Sequence, residues 1–325
     1  MPRFPFSTTL RRRLKHGDVI WNALLFGAAG LTILLVLWIG TKIWLDSSPS
    51  RHATGWDFVS PWAERSWNPV LDKFHAWPAI YGSLMTSLIA LLLAVPFSVA
   101  VAIYLAELAS DRQRVVLNYM VEMLAAIPSV VYGLWGIYVF LPLVVVPVGN
   151  ALSATLGRVP GLSAIFGGSI PDSGLSVLGA AFILVIMITP TITAVTRDVL
   201  LAIPRTQREA SLALGATQWE TIWKVLLPYG ASGILGAVIL GLGRAVGETM
   251  AVTMVIGNTT GSGWSILQPG YTMASIIANE FAEAVSQMHT AALIEVGVVL
   301  FALTFLLNAI ARWLVWRVNR ATRGA

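Results

Sequence analysis

The stretch EASLALGATQWETIWKVLLP, from Glu209 to Pro228, separates two of the most apolar parts of the chain. It consists largely of helix-forming residues, so a short helical element is expected. Ala210 and Ser211 are small enough to let another surface approach closely, and Gly215 permits a sharp turn between two short helices. The stretch therefore predicts a compact helical loop between two long apolar segments.

The composition of the whole chain points to lipid as its solvent. Its 325 residues are 56% hydrophobic and 11% charged, against roughly a quarter charged in soluble domains, and the mean hydropathy is +0.75. The net charge of +5 does not indicate nucleic acid binding, because Lys and Arg cluster at the ends of apolar segments rather than in a basic stripe. With no cysteine and no metal-ligand spacing among the four histidines, neither a disulfide nor a metal site is expected.

Six apolar segments are long enough to cross a bilayer as helices, which takes about 20 residues. They are Val19–Leu45, Ala79–Leu105, Val116–Val146, Ser176–Thr196, Gly230–Ile256 and Ala291–Trp313. The third contains Pro128 and Pro142 and is expected to be kinked or broken. The first is too long for a signal-peptide core and is expected to be retained.

The distribution of basic residues predicts the orientation. Of the 21 Lys and Arg residues, fifteen fall in segments that are cytoplasmic if the N-terminus is inside, five are external, and Arg244 is the remaining one. This bias places both termini in the cytoplasm. The predicted regions are a basic cytoplasmic tail (1–17), the first span with a Trp-rich external loop on the membrane face (18–78), a core of five spans (79–313) and a cytoplasmic tail (314–325).

The stretch Glu209–Pro228 resembles the EAA motif of the permeases of ATP-driven (ABC) importers. Five residues match the motif at its spacing: Glu209, Ala210, Gly215, Leu227 and Pro228. Ser211 and Val225 depart from it, each by a small change. The resemblance implies a coupling helix at about 205–228, which docks on an ATP-binding subunit. The residues expected to mediate coupling are Glu209, Ala210, Ser211 and Gly215.

Further runs resemble the PstC type of phosphate importer permease, over about Ile80 to Trp313. They include IYGSLMTSL (Ile80–Leu88), AAIPSVVYGLWG (Ala125–Gly136) and LGLGRAVGETMAVTMVIGN (Leu240–Asn258). This resemblance implies an all-α, six-helix type I ABC importer permease in the bacterial inner membrane. The implied partners are a second permease of the PstA type, two ATP-binding subunits holding ATP and magnesium, an external phosphate-binding protein and membrane lipid.

No enzymatic role is expected for the chain itself. It lacks the phosphate-binding pattern G-x-x-x-x-G-K-[ST], so ATP hydrolysis belongs to a partner subunit. No catalytic residue and no cofactor are therefore expected here.

Arg244 and Glu248 place opposite charges four residues apart within apolar sequence. On a continuous helix they share one face and reach each other. One interpretation is a mutually neutralising pair that locks the helix. The other is that this face, with Thr249, lines the translocation path, because charges at membrane depth usually face a partner or a water-filled route. An Arg fork suits phosphate oxygens, and Glu248 could aim that fork or accept a hydrogen bond from a protonated phosphate oxygen.

Four further residues are candidates for a gate or for helix packing: Glu122, Pro128, Ser129 and Glu295. The carboxylates favour hydrogen bonds between helices, and Pro128 with Ser129 favours a bend. Three other functions stay open: a permease for sulfate or molybdate, an ion-coupled transporter or channel, and a membrane scaffold or sensor. The EAA-like stretch argues against an ion-coupled transporter or channel, which needs no docking helix for an ATPase. The charges within apolar sequence fit a scaffold or sensor less well.

Overall fold

The computed structural model describes residues 18–62, 67–259 and 263–323, and these are almost entirely helical. The helices are α1 (Asp18–Asp46), α2 (Ser48–Thr54), α3 (Trp77–Ile103), α4 (Asp111–Ala126), α5 (Ser129–Trp135), α6 (Val146–Thr155), α7 (Ser163–Phe166), α8 (Val177–Leu201), α9 (Arg205–Ala213), α10 (Gln218–Thr221), α11 (Leu227–Gly247), α12 (Met250–Val255), α13 (Met273–Glu280) and α14 (Gln287–Arg323). Wide π-helical turns cover Tyr104–Leu108, Gly136–Val145 and Ile222–Leu226, and an antiparallel hairpin pairs β1 (Trp67–Asn68) with β2 (Lys73–Phe74). The predicted tail at 1–17 lies outside the described residues.

Six helical stretches of the described chain are long and apolar enough to cross a membrane, as predicted. They are Trp21–Asp46, Trp77–Leu108, Ser129–Arg158, Val177–Leu201, Gln218–Gly247 and Gln287–Arg317. The first, second, fourth and sixth lie close to their predicted bounds. The third and fifth do not, and both differences arise at helix interruptions.

The predicted third span, Val116–Val146, is wrong in its bounds. The backbone is extended at Ile127 and Pro128, where α4 ends and α5 begins, so the expected break does occur. The residues before it form the separate helix α4, and the span runs from Ser129 to Arg158. Pro142 does not interrupt the span, because it lies inside the wide turn Gly136–Val145, which accommodates a residue without an N–H donor.

The fifth span begins earlier than predicted, and the coupling element is correspondingly shorter. Thr217 forms a capping box with Glu220 at the start of α10, and the helix then continues through a π-helical turn into α11. Pro228 stands in the first turn of α11, a position that proline tolerates. The loop before this span therefore contains one separate helix, α9, and residues from Gln218 onward belong to the span. The coupling role of the loop stays a prediction.

The membrane bundle is centred on α8. This helix is the most buried of the six spans and packs against α3 and α11, while α11 also contacts α14. By contrast, α1 is exposed along its length and packs mainly against α14. The central position of α8 makes it a common support for the elements around it.

The Trp-rich loop folds into a cap on one end of the bundle. Trp67 is buried and donates from Nε1 to Glu280 Oε2 at 2.6 Å, and the same carboxylate oxygen lies 3.0 Å from His289 Nε2. The prediction that this loop lies on the membrane face is therefore wrong for Trp67, which packs inside the protein. Trp56 and Trp62 are exposed.

Candidate translocation site and coupling surface

The fifth span ends directly before Glu248, earlier than predicted. Helix α11 ends at Gly247, Glu248 is extended (φ −69°, ψ 125°) and α12 begins at Met250. Glu248 Oε1 accepts a hydrogen bond from the backbone N–H of Ala251 at 3.2 Å. The N–H groups in the first turn of a helix have no acceptor within that helix. The Glu248 carboxylate accepts from one of them at the start of α12.

Arg244 lies in the last turn of α11 and does not pair with Glu248. Its Nη1 donates to Thr191 Oγ1 of α8 at 3.2 Å. Within the part of the chain that the structure describes, no carboxylate oxygen lies within 4.0 Å of the guanidinium. The predicted pairing is therefore wrong in this conformation, because the i, i+4 relation requires a continuous helix and the helix ends between the two residues.

A groove beside Arg244 is formed by three helices. Thr191 of α8, Arg244 of α11 and Asn308 of α14 contribute polar groups to it, and Gly236 and Gly243 form part of its floor. Apart from the chain neighbours and the backbone of α11 itself, no atom of the described chain lies within 4 Å of where a Cβ would stand at either glycine. The groove therefore presents a half-buried cation and two neutral hydrogen-bonding side chains.

The break at Pro128 lies beside the break at Glu248. Helices α5 and α12 pack together, and a Cβ on Gly133 would stand 2.7 Å from Met254 Sδ and 3.3 Å from Ala251 Cα. Tyr132 donates from its hydroxyl to the Leu124 carbonyl at 2.8 Å, which spans the Pro128 break. Interrupted helices at membrane depth are a recurrent way of building transport sites.

The remaining gate candidates have different surroundings. Ser129 begins α5 directly after Pro128. Glu122 is exposed on α4, with Oε1 at 3.8 Å from Arg197 Nη1 of α8, which favours the packing interpretation. Glu295 is buried on α14 and faces Ser50 and Arg51 around α2. It precedes Asn308 by thirteen residues, or about 20 Å of helix, so it does not belong to the Arg244 groove.

Of the EAA-like residues, Glu209, Ala210 and Gly215 are exposed, and Ser211 is half-buried with its Oγ 2.9 Å from Thr221 Oγ1. Glu209, Ala210 and Ser211 lie on α9, and Gly215 has φ +85°, a left-handed conformation that reverses the chain after the helix. Leu214 at this turn is 90% exposed. These residues stand together as predicted, and their role in docking stays a prediction.

Sequence reasoning missed the ion pair that holds this surface in place. Arg208 of α9 donates from Nε to both oxygens of Glu107, at 3.0 and 3.1 Å, and from Nη2 to Glu107 Oε1 at 2.6 Å. The two residues are 101 positions apart. Locally, the sequence shows only that Glu107 stands at the end of an apolar stretch and that Arg208 directly precedes Glu209.

Comparison with known proteins identifies the family. The profile of the family described as "Binding-protein-dependent transport system inner membrane component" matches residues 98–320. The "Phosphate transport system permease protein PstC" of Mesorhizobium japonicum is 40% identical over 311 residues, which cover 96% of this chain and 94% of that protein. The protein of the same name from Haemophilus influenzae is 41% identical over 320 residues, covering 97% and 99%.

The chain belongs to the PstC family of inner-membrane permeases. As a PstC-family permease it is a multi-pass inner-membrane component of an ABC transporter, and it is not itself catalytic. Transport in this family depends on a binding protein, and an ABC transporter also requires an ATPase, so both are partners of the chain.

Solved structures show the same fold. The crystal structure of a bacterial alginate ABC transporter with a pentasaccharide-bound periplasmic protein contains a chain that matches with a TM-score of 0.61 at 18% identity. That match covers 94% of this chain and 97% of the other. A chain of the inward-facing MetNI methionine ABC transporter matches with a TM-score of 0.50 at 19% identity, covering 75% and 94%. At these identities the likeness concerns the fold of an ABC importer permease.

Proposed function

We propose that this chain is a permease subunit of an ATP-driven phosphate importer and that Arg244, Glu248 and Thr249 line its translocation path. The observation that carries the path assignment is the unneutralised guanidinium of Arg244. A buried charge is costly unless it is paired, and at membrane depth such a charge usually faces a partner or a water-filled route. The only polar atom that the described chain supplies to it within hydrogen-bonding distance is the neutral hydroxyl of Thr191.

Phosphate fits this environment chemically. Arg presents a planar set of donors that engages two oxygens of one anion, and the hydrogen bond to Thr191 fixes its direction without using up its charge. One cation does not balance a doubly charged phosphate. The second permease, of the PstA type, is therefore expected to contribute another.

The proposed assembly contains this chain, a PstA-type permease, two ATP-binding subunits and an external phosphate-binding protein. ATP and magnesium belong to the ATP-binding subunits. The surface of Glu209, Ala210, Ser211 and Gly215 docks on one of them, because its residues are mostly small and exposed and are carried by a helix with a defined turn at its end.

The test is uptake of radiolabelled phosphate by cells that express the whole transporter and no other phosphate importer. Arg244→Gln is expected to reduce uptake by about 10- to 100-fold, the range expected when hydrogen bonds to a charged group are lost. Arg158→Gln, which changes an exposed arginine after α6, is the matched control and is expected to behave as wild type.

Two results would contradict the proposal. Unchanged uptake with Arg244→Gln at equal membrane levels would remove Arg244 from the path. Strong inhibition of wild-type uptake by excess sulfate would argue for a different oxyanion.

A further inference from the structure

Arg208 joins three elements at the coupling end of the bundle. Besides its bonds to Glu107, it donates from Nη2 to the Leu200 carbonyl at 2.7 Å and from Nη1 to the Ile203 carbonyl at 2.8 Å. Glu107 lies in the π-helical turn that ends α3, whereas Leu200 and Ile203 lie at and just after the last turn of α8. One side chain of the coupling helix therefore holds the ends of two spans.

The pair is shielded from water. The side chains of Arg208 and Glu107 are 19% and 11% exposed, and a small apolar core surrounds them, formed by Ile103, Ala106, Leu200, Ile203, Ile222 and Leu226. The Gln218 side chain adds a bond from Nε2 to the Glu107 carbonyl at 3.1 Å. Low exposure strengthens each of these charge-assisted bonds relative to a surface pair.

Helix α8, to which Arg208 donates, also carries Thr191, the hydrogen-bond partner of Arg244. Leu200, the acceptor for Arg208, and Thr191, the acceptor for Arg244, lie nine residues apart on α8, which is about 14 Å along a helix. The interior of α8 is tightly packed. A displacement of its end is therefore carried toward Thr191 instead of being absorbed locally.

We infer that the Arg208–Glu107 pair is a positioning element that transmits movement of the coupling helix α9 to α3 and α8, and through α8 to the Arg244 groove. This inference rests on the proposed function. Arg208 touches neither the proposed path nor the face of Glu209, Ala210 and Gly215, so its action is mechanical. Lysine in its place retains the charge but lacks the planar fork that reaches Glu107 and both carbonyls together.

The experiment measures phosphate imported per ATP hydrolysed by the complete transporter reconstituted in liposomes with its binding protein. Arg208→Lys and Glu107→Gln are the test variants. Arg112→Gln is the matched control, because Arg112 is exposed near the start of α4 and lies outside the coupling helix. Both test variants are expected to lower the ratio, because ATP hydrolysis continues while less of the movement reaches the Arg244 groove, and the control is expected to keep the wild-type ratio.

Each outcome decides between transmission and simple support of the fold. A lowered ratio in an assembled complex supports transmission. A wild-type ratio in both variants overturns it, as does a parallel loss of transport and ATP hydrolysis, which is the sign of damaged structure alone. If Arg208→Lys does not assemble, Glu107→Gln decides by the same ratio. Failure of the wild-type transporter to import phosphate would refute the proposed function instead.

Discussion

Arg208 and Arg244 are both half-buried, and each donates a hydrogen bond to a residue of α8. Their surroundings are nevertheless opposite. Arg208 meets a carboxylate through three hydrogen bonds and two backbone carbonyls through two more. Arg244 meets one neutral hydroxyl. A fully matched cation holds a structure together, whereas an unmatched cation is available to an anion that comes from outside the chain. The difference separates the coupling end of the molecule from its proposed path.

The largest effect on stability is expected at the coupling end. Glu107→Ala leaves the half-buried Arg208 without its counter-charge, which costs at most about 3–5 kcal/mol, the cost of removing one partner of a fully buried pair. The expected result is a strongly lowered unfolding midpoint of the purified complex, followed by fluorescence during heating. The exposed pair Lys224–Glu220 supplies the control, since Lys224→Ala removes an interaction worth about 0–1 kcal/mol and leaves the capping box of Glu220 in place. Equal shifts for the two variants would remove the distinction between a buried and a surface pair here.

A smaller effect is expected where the two helix breaks meet. Gly133→Ala places a methyl group against Met254 and the backbone of Ala251, and overpacking of this kind costs about 1–3 kcal/mol. The measurement is again the unfolding midpoint. Met254→Ala in the same chain is expected to recover part of the loss, because it removes the nearest atom. No recovery would mean that the contact with Ala251 dominates.

Glu248 is expected to have the smallest effect on stability. Glu248→Gln keeps an oxygen that accepts from the Ala251 N–H, so the unfolding midpoint should not change. Glu248→Ala removes that acceptor at the start of α12 and should cost about 1 kcal/mol, as for other helix N-terminal caps. If both substitutions destabilise equally, the negative charge itself stabilises the break, and the capping explanation is wrong.

The spans were predictable because their signal is local. Long apolar runs and the bias of Lys and Arg need no knowledge of distant contacts, and Pro128 marks its break by removing a backbone donor. The break at Glu248 has no such marker. No proline stands there, and the interruption depends on α12 packing against α5, more than a hundred residues earlier in the chain.

The coupling end shows the same limit. The sequence predicted the turn at Gly215, and the EAA-like spacing predicted the surface. Pro228 was misleading, because a preceding π-helical turn lets the helix continue. No local pattern predicts the Arg208–Glu107 pair, because the two charges are 101 residues apart. They meet only when α3 and α9 come together in the folded protein.

The central claim is that Arg244 serves an incoming anion and does not hold the bundle together. Its most direct test is phosphate uptake per assembled transporter in liposomes for Arg244→Gln, with the unfolding midpoint of the same preparation. The account predicts uptake reduced by about 10- to 100-fold with the midpoint close to wild type, because no ion pair of the described chain is broken. Wild-type uptake, or a loss of uptake that accompanies a collapse in stability, would contradict it.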